Sequence, residues 1–343
     1  MRNPLLSLAL IASLWGVSAS AFEIEDRQWV GPENARALSV ISTTDFDILA
    51  PLMESFLRNR PGVAVDYVVA SSSELMKAIA DEGQAFDVAL SSAMDLQTKL
   101  ANDGFTRPHQ SSATALIPDW GEWRNHVFAF SQEPASIVVS ATALTEAEMP
   151  RTRQALITLL REQPDRFRGR IGTYDVSVSG LGYLFATQDA RTSETYWRLM
   201  ELMGGLDLQL YCCSGAMIEQ VADGEIFVAY NVLGSYARAR ADLADRIVVI
   251  DPEDYTHLMM RSAILLNDAA QPELAEAFVD HLITAAWSNP PAPEYPFRHP
   301  LGAPGPSESA RRPIQLGPGL LVYQDREKRK RFLGEWVSAL RQE

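Results

Sequence analysis

Cysteine is scarce in this chain: only two of its 343 residues are cysteines, and they are adjacent, Cys212 and Cys213. A framework of several disulfides is therefore excluded. Neighbouring Cα atoms lie about 3.8 Å apart, which is shorter than a relaxed disulfide requires. The pair is predicted to be either two free thiols or a strained vicinal disulfide. Nothing nearby in the sequence completes a set of zinc ligands.

The motifs of most enzyme classes are missing. The five histidines are scattered and form no His-Glu-x-x-His pattern for zinc. Ser177 and Ser179 lack the Gly-x-Ser-x-Gly frame of a hydrolase nucleophile, and no Walker motif is present. Gly180-Leu181-Gly182 is followed by Phe185, where a dinucleotide-binding loop needs Gly or Ala. The chain is therefore predicted not to be an enzyme and to carry no catalytic residue and no cofactor; a secreted hydrolase is the enzymatic alternative.

Long apolar runs are missing after the N-terminus, so no later segment is predicted to cross a membrane. Residues 1–21 have the layout of a secretory signal peptide: Arg2 is basic, Leu5 to Val17 is mainly apolar, and Ala19-Ser20-Ala21 offers small residues for cleavage. The run is too short for a lasting anchor. Cleavage before Phe22 and a periplasmic location are therefore predicted, with an uncleaved anchor as the alternative.

Positive charge is in the minority: 30 Lys and Arg stand against 44 Asp and Glu, for a net charge of −14 at pH 7. This acidity excludes nucleic acid and anionic membrane surfaces as partners. A small anionic ligand is not excluded, because it responds to local helix N-termini more than to the total charge.

Short apolar strands alternate with amphipathic helices, which predicts an α/β fold of mainly parallel sheets flanked by helices. The chain is longer than one hydrophobic core usually organises, so two lobes are expected. Strands at 127–130 and 137–139 are predicted to cross between the lobes as a hinge, and a strand at 246–251 is predicted to return to lobe one. Lobe one is then 22–130 with 247–343, which includes a C-terminal wrap, and lobe two is 131–246.

Hydroxyl residues follow the predicted strands, where each strand gives way to a helix. For any single cluster, capping of the helix N-terminus is a sufficient structural explanation. Because parallel strand ends share one edge of a sheet, where α/β proteins bind ligands, the recurrence predicts a donor-rich cleft. The candidate ligand-binding residues are Thr43, Thr44, Ser71, Ser72, Ser73, Ser91 and Ser92 in lobe one, and Tyr174, Ser177, Ser179, Gly180, Ser214, Tyr230 and Asn231 in lobe two.

Three of these stretches carry a family resemblance: Val40 to Thr44 with Ser71 to Leu75, Asp87 to Ser92, and Ser179-Gly180-Leu181-Gly182-Tyr183. Over the whole mature chain the sequence resembles periplasmic solute-binding proteins of ABC importers, of the type II fold that includes ferric-ion binders. Ala229 to Tyr236 is most similar to the phosphoglycerate-transport regulatory branch. The resemblance implies a monomer that closes about its hinge on a small ligand. It implies as partner an ABC permease or, in the regulatory branch, the ectodomain of a sensor histidine kinase.

The stretch from Ala229 to Tyr236 departs from the ferric binders at one position. Ferric binders carry two adjacent tyrosines after the corresponding strand. Here Tyr230 is followed by Asn231, and the next tyrosine is Tyr236. A phosphorylated or carboxylated organic anion is therefore the expected ligand, with Fe(III) as the alternative, and no metal ligand is assigned. The charged group is expected at the helix N-termini of 71–73 and 179–182. No cleft-facing arginine is evident.

Overall fold

The computed structural model describes residues 21–297 and 310–341. The predicted signal peptide lies outside the described residues, apart from its last position. The strands are β1 (Asp26–Val30), β2 (Arg36–Ser42), β3 (Val63–Val69), β4 (Val88–Ser91), β5 (Glu122–Trp123), β6 (Val127–Ala129), β7 (Glu133–Ser140), β8 (Ile171–Tyr174), β9 (Gln209–Tyr211), β10 (Val228–Leu233), β11 (Ile247–Ile250), β12 (Thr256–Met259), β13 (Ser262–Leu265) and β14 (Arg311–Pro313).

The helices alternate with these strands, as the sequence pattern predicts. They are α1 (Phe46–Leu57), α2 (Ser72–Met76), α3 (Met94–Asn102), α4 (Arg153–Glu162), α5 (Pro164–Phe167), α6 (Gly180–Thr192), α7 (Thr195–Gly204), α8 (Ser214–Ala222), α9 (Gly234–Ala239), α10 (Pro272–Trp287) and α11 (Arg326–Arg341). Two of the predicted caps are present, because Ser71 accepts from the backbone N–H of Glu74 and Ser179 from that of Gly182.

The strands form two seven-stranded mixed sheets. The first has the order β1-β3-β2-β4-β13-β6-β5, and the second has the order β14-β12-β7-β10-β8-β9 with β11 also paired to β7. Strands β2, β3 and β4 run parallel, and their side chains are mostly buried because helices cover both faces. The predicted α/β class with two helix-flanked sheets is confirmed. We use lobe one for the first sheet with its helices and lobe two for the second.

The chain passes between the sheets twice. It leaves lobe one between β6 and β7, through residues 130–132, and it returns between β12 and β13, through residues 260–261. Two short crossings side by side are the geometry of a hinge.

The return lies later than predicted. Strand β11, expected to belong to lobe one, pairs antiparallel with β7 in the second sheet, with Ile247 opposite Ser140 and Ile250 opposite Ile137. The C-terminal helix α11 also packs on lobe two, against α7, and buries Phe332 in that lobe's core. The assignment of these two segments to lobe one is wrong, because an apolar strand or helix pattern does not specify which of two cores it joins.

Candidate functional site

The two lobes touch where the N-terminus of α6 meets α2. The backbone N–H of Gly180 donates to Ser72 Oγ across the interface at 3.0 Å, and Ser73 Oγ donates to the carbonyl of Val178 at 3.3 Å. A Cβ added to Gly180 would lie 2.4 Å from Ser72 Oγ, so only glycine permits this approach. Four predicted site residues, Ser72, Ser73, Ser179 and Gly180, are thus brought together from opposite lobes.

A second hydroxyl cluster lies at the adjoining edge of lobe one, after β2 and β4. Thr43 Oγ1 accepts from the backbone N–H of Ser92 at 3.1 Å and lies 3.4 Å from Ser92 Oγ. Ser91 Oγ accepts from the N–H of Ala93 at 3.1 Å. Because β2 and β4 are parallel neighbours, their carboxyl ends place these hydroxyls side by side.

The hinge carries a buried guanidinium, that of Arg261, whose exposed fraction is only 1%. Its Nη1 donates to Thr44 Oγ1 at 2.6 Å, and its Nε donates to Glu133 Oε1 at 2.8 Å. Its backbone N–H donates to Ser131 Oγ, on the other crossing, at 2.8 Å. Arg261 therefore links both crossings to a predicted site residue of lobe one.

The sequence reasoning missed Arg261, although a signal was present. The apolar segment 256–265 contains β12 and β13, and Arg261, between the two strands, is its single charged residue. His257 is the only other titratable side chain in that segment. Burial disfavours the charge of Arg261, but Glu133 holds its pKa above the ordinary value. The cation also lies over the ring of Tyr236, 5.0 Å from the ring centre.

Tyr236, in α9 of lobe two, lies close enough to Asp45 of lobe one for the charge of that carboxylate to act on its hydroxyl. Burial of its hydroxyl and the negative charge of Asp45 raise the pKa of Tyr236 to about 12, while Arg261 opposes the shift. The hydroxyl therefore stays protonated at neutral pH. The Tyr236 side chain lies against Arg261 at the hinge.

Tyr174 and Ser214 are joined at the edge of lobe two. The two hydroxyl oxygens lie 2.5 Å apart, and Ser214 Oγ also accepts from the backbone N–H of Leu233 at 3.0 Å. Burial raises the pKa of Tyr174, so the phenol stays neutral. Ser177 lies apart from this pair, because its hydroxyl donates to Asp175 within its own exposed turn.

Tyr230 and Asn231 do not face the cleft, contrary to the sequence expectation. The Tyr230 hydroxyl accepts from Arg153 Nε at 2.6 Å and donates to Asp189 Oδ2 at 2.7 Å, while Asn231 Nδ2 donates to the same oxygen at 2.9 Å. Tyr230 packs in the lobe-two core, and Arg153 and Asp189 enclose its hydroxyl. Side chains along a strand alternate between the two faces of the sheet, but this alternation does not reveal which face borders the cleft.

The carboxylate of Asp189 anchors this interior network. Burial opposes its ionisation, but the charge of Arg153 and hydrogen bonds from His257 and Tyr230 hold the pKa of Asp189 far below its usual range. Arg153 is likewise fully buried and contacts the Tyr255 ring. The network satisfies its own charges and is a structural element of lobe two.

Within residues 21–297 and 310–341, no group of three or more His, Cys, Asp or Glu side chains is arranged to hold a metal ion. In the same part of the chain, no helix combines the length and apolarity needed to span a bilayer.

The family of bacterial extracellular solute-binding proteins matches residues 38–288, so this chain belongs to that family. It is a solute-binding protein of the ABC-transporter class, a transport family that acts in the periplasm. A search of the curated proteins finds no match.

Solved structures agree with this assignment. The substrate-binding protein of an ABC transporter from Agrobacterium tumefaciens is 31% identical, with a TM-score of 0.84 over 92% of this chain and 98% of that one. AfuA from Actinobacillus pleuropneumoniae, with exogenous fructose-6-phosphate bound, is 15% identical, with a TM-score of 0.68 over 89% and 98%. Iron-bound HitA from Pseudomonas aeruginosa is 15% identical, with a TM-score of 0.66 over 89% and 99%. The last two share the fold.

Proposed function

We propose that this protein captures a small organic anion, phosphorylated or carboxylated, by closure of its lobes about the hinge, and delivers it to an ABC permease. The observation that carries the proposal is the contact between α6 and α2, where Gly180 N–H meets Ser72 Oγ across the lobes. The positive end of a helix of 13 residues thus lies at the lobe interface, next to hydroxyls of the other lobe.

Arg261 supports this proposal indirectly, because it holds Thr44, a candidate donor, from the hinge. Glu133 neutralises its charge, so the guanidinium and carboxylate together add little net field. Selectivity for an anion then depends on the directed donors around them, the helix N–H groups and the hydroxyls of Thr43, Thr44 and Ser92. These donors suit phosphate or carboxylate oxygens, which accept several hydrogen bonds each.

Iron is less well supported as the ligand. A ferric site of the kind the family resemblance suggests would need the phenol of Tyr230, but this hydroxyl is held by Arg153 and Asp189 inside lobe two. Releasing it would cost the buried guanidinium and the buried carboxylate one hydrogen bond each, which is unfavourable. AfuA, a structure of the same fold, carries fructose-6-phosphate, so the fold is compatible with an organic anion as ligand.

The ligand class is tested by isothermal calorimetry with matched probes. Fructose 6-phosphate, citrate and inorganic phosphate are titrated beside uncharged fructose and beside Fe(III). Binding of at least one organic anion, with no heat from fructose, is the expected result. Binding of fructose alone, or a visible tyrosinate band on adding Fe(III), would show that the ligand class is wrong.

The location of the cleft is tested with Ser72→Leu. The larger side chain would collide with the first turn of α6, because Ser72 Cβ already lies 3.0 Å from the Cβ position of Gly180. Affinity for the anion that binds is expected to fall at least about tenfold, which is about 1.4 kcal/mol. Ser338→Leu, on the exposed face of α11, is the matched control and should bind normally. Equal affinity in both variants would refute the placement.

A further inference from the structure

The adjacent cysteines form a close pair of thiols on the surface of lobe two. Cys212 and Cys213 lie between β9 and α8, both exposed and both free, and their sulfurs are 3.0 Å apart. Two sulfurs at this separation need to approach each other by about 1 Å to reach the length of a disulfide bond. Exposure leaves them accessible to a soluble thiol reagent.

The pair is connected to the candidate site through the backbone. Cys213 is the residue immediately before α8, and the first residue of that helix is Ser214, which contacts Tyr174 and the N–H of Leu233. Cys213 is thus one residue from a candidate ligand-binding hydroxyl.

We propose that Cys212 and Cys213 close reversibly to a vicinal disulfide, and that this modification alters the ligand site at Ser214. The oxidant is a low-molecular-weight disulfide. The Cys212 thiolate attacks one sulfur of that disulfide and releases one thiol. The Cys213 thiolate then attacks the Cys212 sulfur and releases the second thiol. Two electrons pass to the reagent, and the two protons of the cysteines end on the released thiols.

Geometry makes this disulfide readily reducible. Successive Cα atoms are about 3.8 Å apart, below the range of roughly 4.4–6.8 Å of relaxed disulfides, so the ring is strained. Strained and exposed disulfides are the labile ones, whereas structural disulfides resist reduction. Partial burial and the neighbouring Cys212 sulfur raise the pKa of Cys213, which disfavours its thiolate as the first nucleophile.

Closing the ring requires the backbone at 212–213 to change its dihedral angles. Cys213 is extended, with φ −150° and ψ 160°, and its carbonyl accepts the weak first bond of α8, from Met217 N–H at 3.5 Å. A new conformation here moves the start of α8 and with it Ser214 Oγ. This part of the inference rests on the proposed function, because Ser214 matters to a ligand only if the cleft binds one.

The experiment equilibrates the full mature protein in glutathione buffers of increasing oxidised fraction. Intact mass reports the disulfide ring as a loss of about two hydrogens. Maleimide labelling reports it as the loss of both reactive thiols. Hydrogen exchange at 209–222 reports the movement of α8. The expected result is a ring that reopens at glutathione ratios where ordinary structural disulfides stay oxidised, together with at least a twofold change in exchange rate at 213–217.

Cys212→Ser and Cys213→Ser are the controls, because each keeps one thiol and forms only a mixed disulfide with glutathione. The effect on the ligand site is measured by calorimetry with fructose 6-phosphate, citrate and inorganic phosphate. The affinity of the oxidised form is expected to differ from that of the reduced form by at least about threefold. Absence of a ring at every ratio, or a ring without altered exchange, overturns the inference whether or not any anion binds. A ring with altered exchange and unchanged anion affinity overturns the link to Ser214. Failure of every anion to bind the reduced form counts against the proposed function and equally against that link.

Discussion

Asp95→Asn is expected to stabilise the protein at neutral pH and to remove part of its pH dependence. Asp95 lies in the first turn of α3 in lobe one, and its exposed fraction is only 3%. Its Oδ2 accepts from Gln324 Nε2, in the segment that packs on lobe two, at 2.5 Å, while Oδ1 is buried without a hydrogen-bond partner among the described residues. Burial raises the pKa of Asp95 to about 6, although Gln324 and the charge of Arg329 oppose the shift.

The sign of the effect follows from proton linkage. The folded state holds a proton on Asp95 more tightly than the unfolded chain does, whose aspartate pKa is about 3.9. The contribution of this group to stability is therefore fully present below about pH 4 and is lost as the pH rises through 6. A difference of roughly two units corresponds to about 3 kcal/mol between these limits.

Urea unfolding at a series of pH values from about 5 to about 8 measures this contribution. At each pH, the free energy of unfolding extrapolated to zero urea is compared between the variant and the parent. Asn keeps the shape of Asp and cannot ionise, so Asp95→Asn should be more stable than the parent by about 1–3 kcal/mol at pH 8 and should show a flatter profile. Glu162→Gln, at the exposed end of α4, is the matched control and should leave the profile unchanged. Parallel pH profiles for Asp95→Asn and the parent would refute the reasoning.

Two further substitutions test packing and the interior network. Gly182→Ala places a Cβ 2.3 Å from a tyrosine side-chain carbon, so urea unfolding should show a loss of about 1–3 kcal/mol. Gly215→Ala, with open space around it, should show no loss, and equal effects would contradict the packing argument. Arg153→Met leaves Asp189 buried without its guanidinium and should cost about 3–5 kcal/mol. Arg151→Met breaks an exposed ion pair and should lower the free energy of unfolding by less than about 1 kcal/mol. A similar loss in Arg153→Met and Arg151→Met would contradict a stabilising role of the interior network.

Local patterns predicted the features of this fold that are encoded locally. Strands alternate with helices as the apolar pattern predicts, and Ser71 and Ser179 cap helices as their positions predict. Strand alternation and capping depend on neighbours within a few residues, so a single sequence contains the information. Thr43 and Ser92 lie side by side because they follow parallel neighbouring strands, whose ends share one edge of the sheet.

The partners of residues that are distant in the sequence could not be predicted in the same way. The strand at 247–250 has the same apolar character whether it joins one sheet or the other, and its pairing with β7 depends on tertiary packing. Arg261 is a similar case, because its importance comes from Glu133 and Thr44, which are distant in sequence. A charged residue between two apolar strands marks a position that needs a partner, but it does not name that partner.

Tyr230 shows why the ligand class depends on the side of the sheet that a residue faces. A phenol serves a cleft only if its hydroxyl is open to the cleft, and here Arg153 and Asp189 enclose the hydroxyl of Tyr230. The polar groups between the lobes are hydroxyls, a helix N-terminus, the carboxylate of Asp45 and the neutralised pair of Arg261 with Glu133. Hard trivalent cations need several anionic ligands, which a single unneutralised carboxylate does not supply, whereas anionic oxygens need hydrogen-bond donors. The contacts between the lobes therefore favour an organic anion on chemical grounds that are independent of the missing second tyrosine.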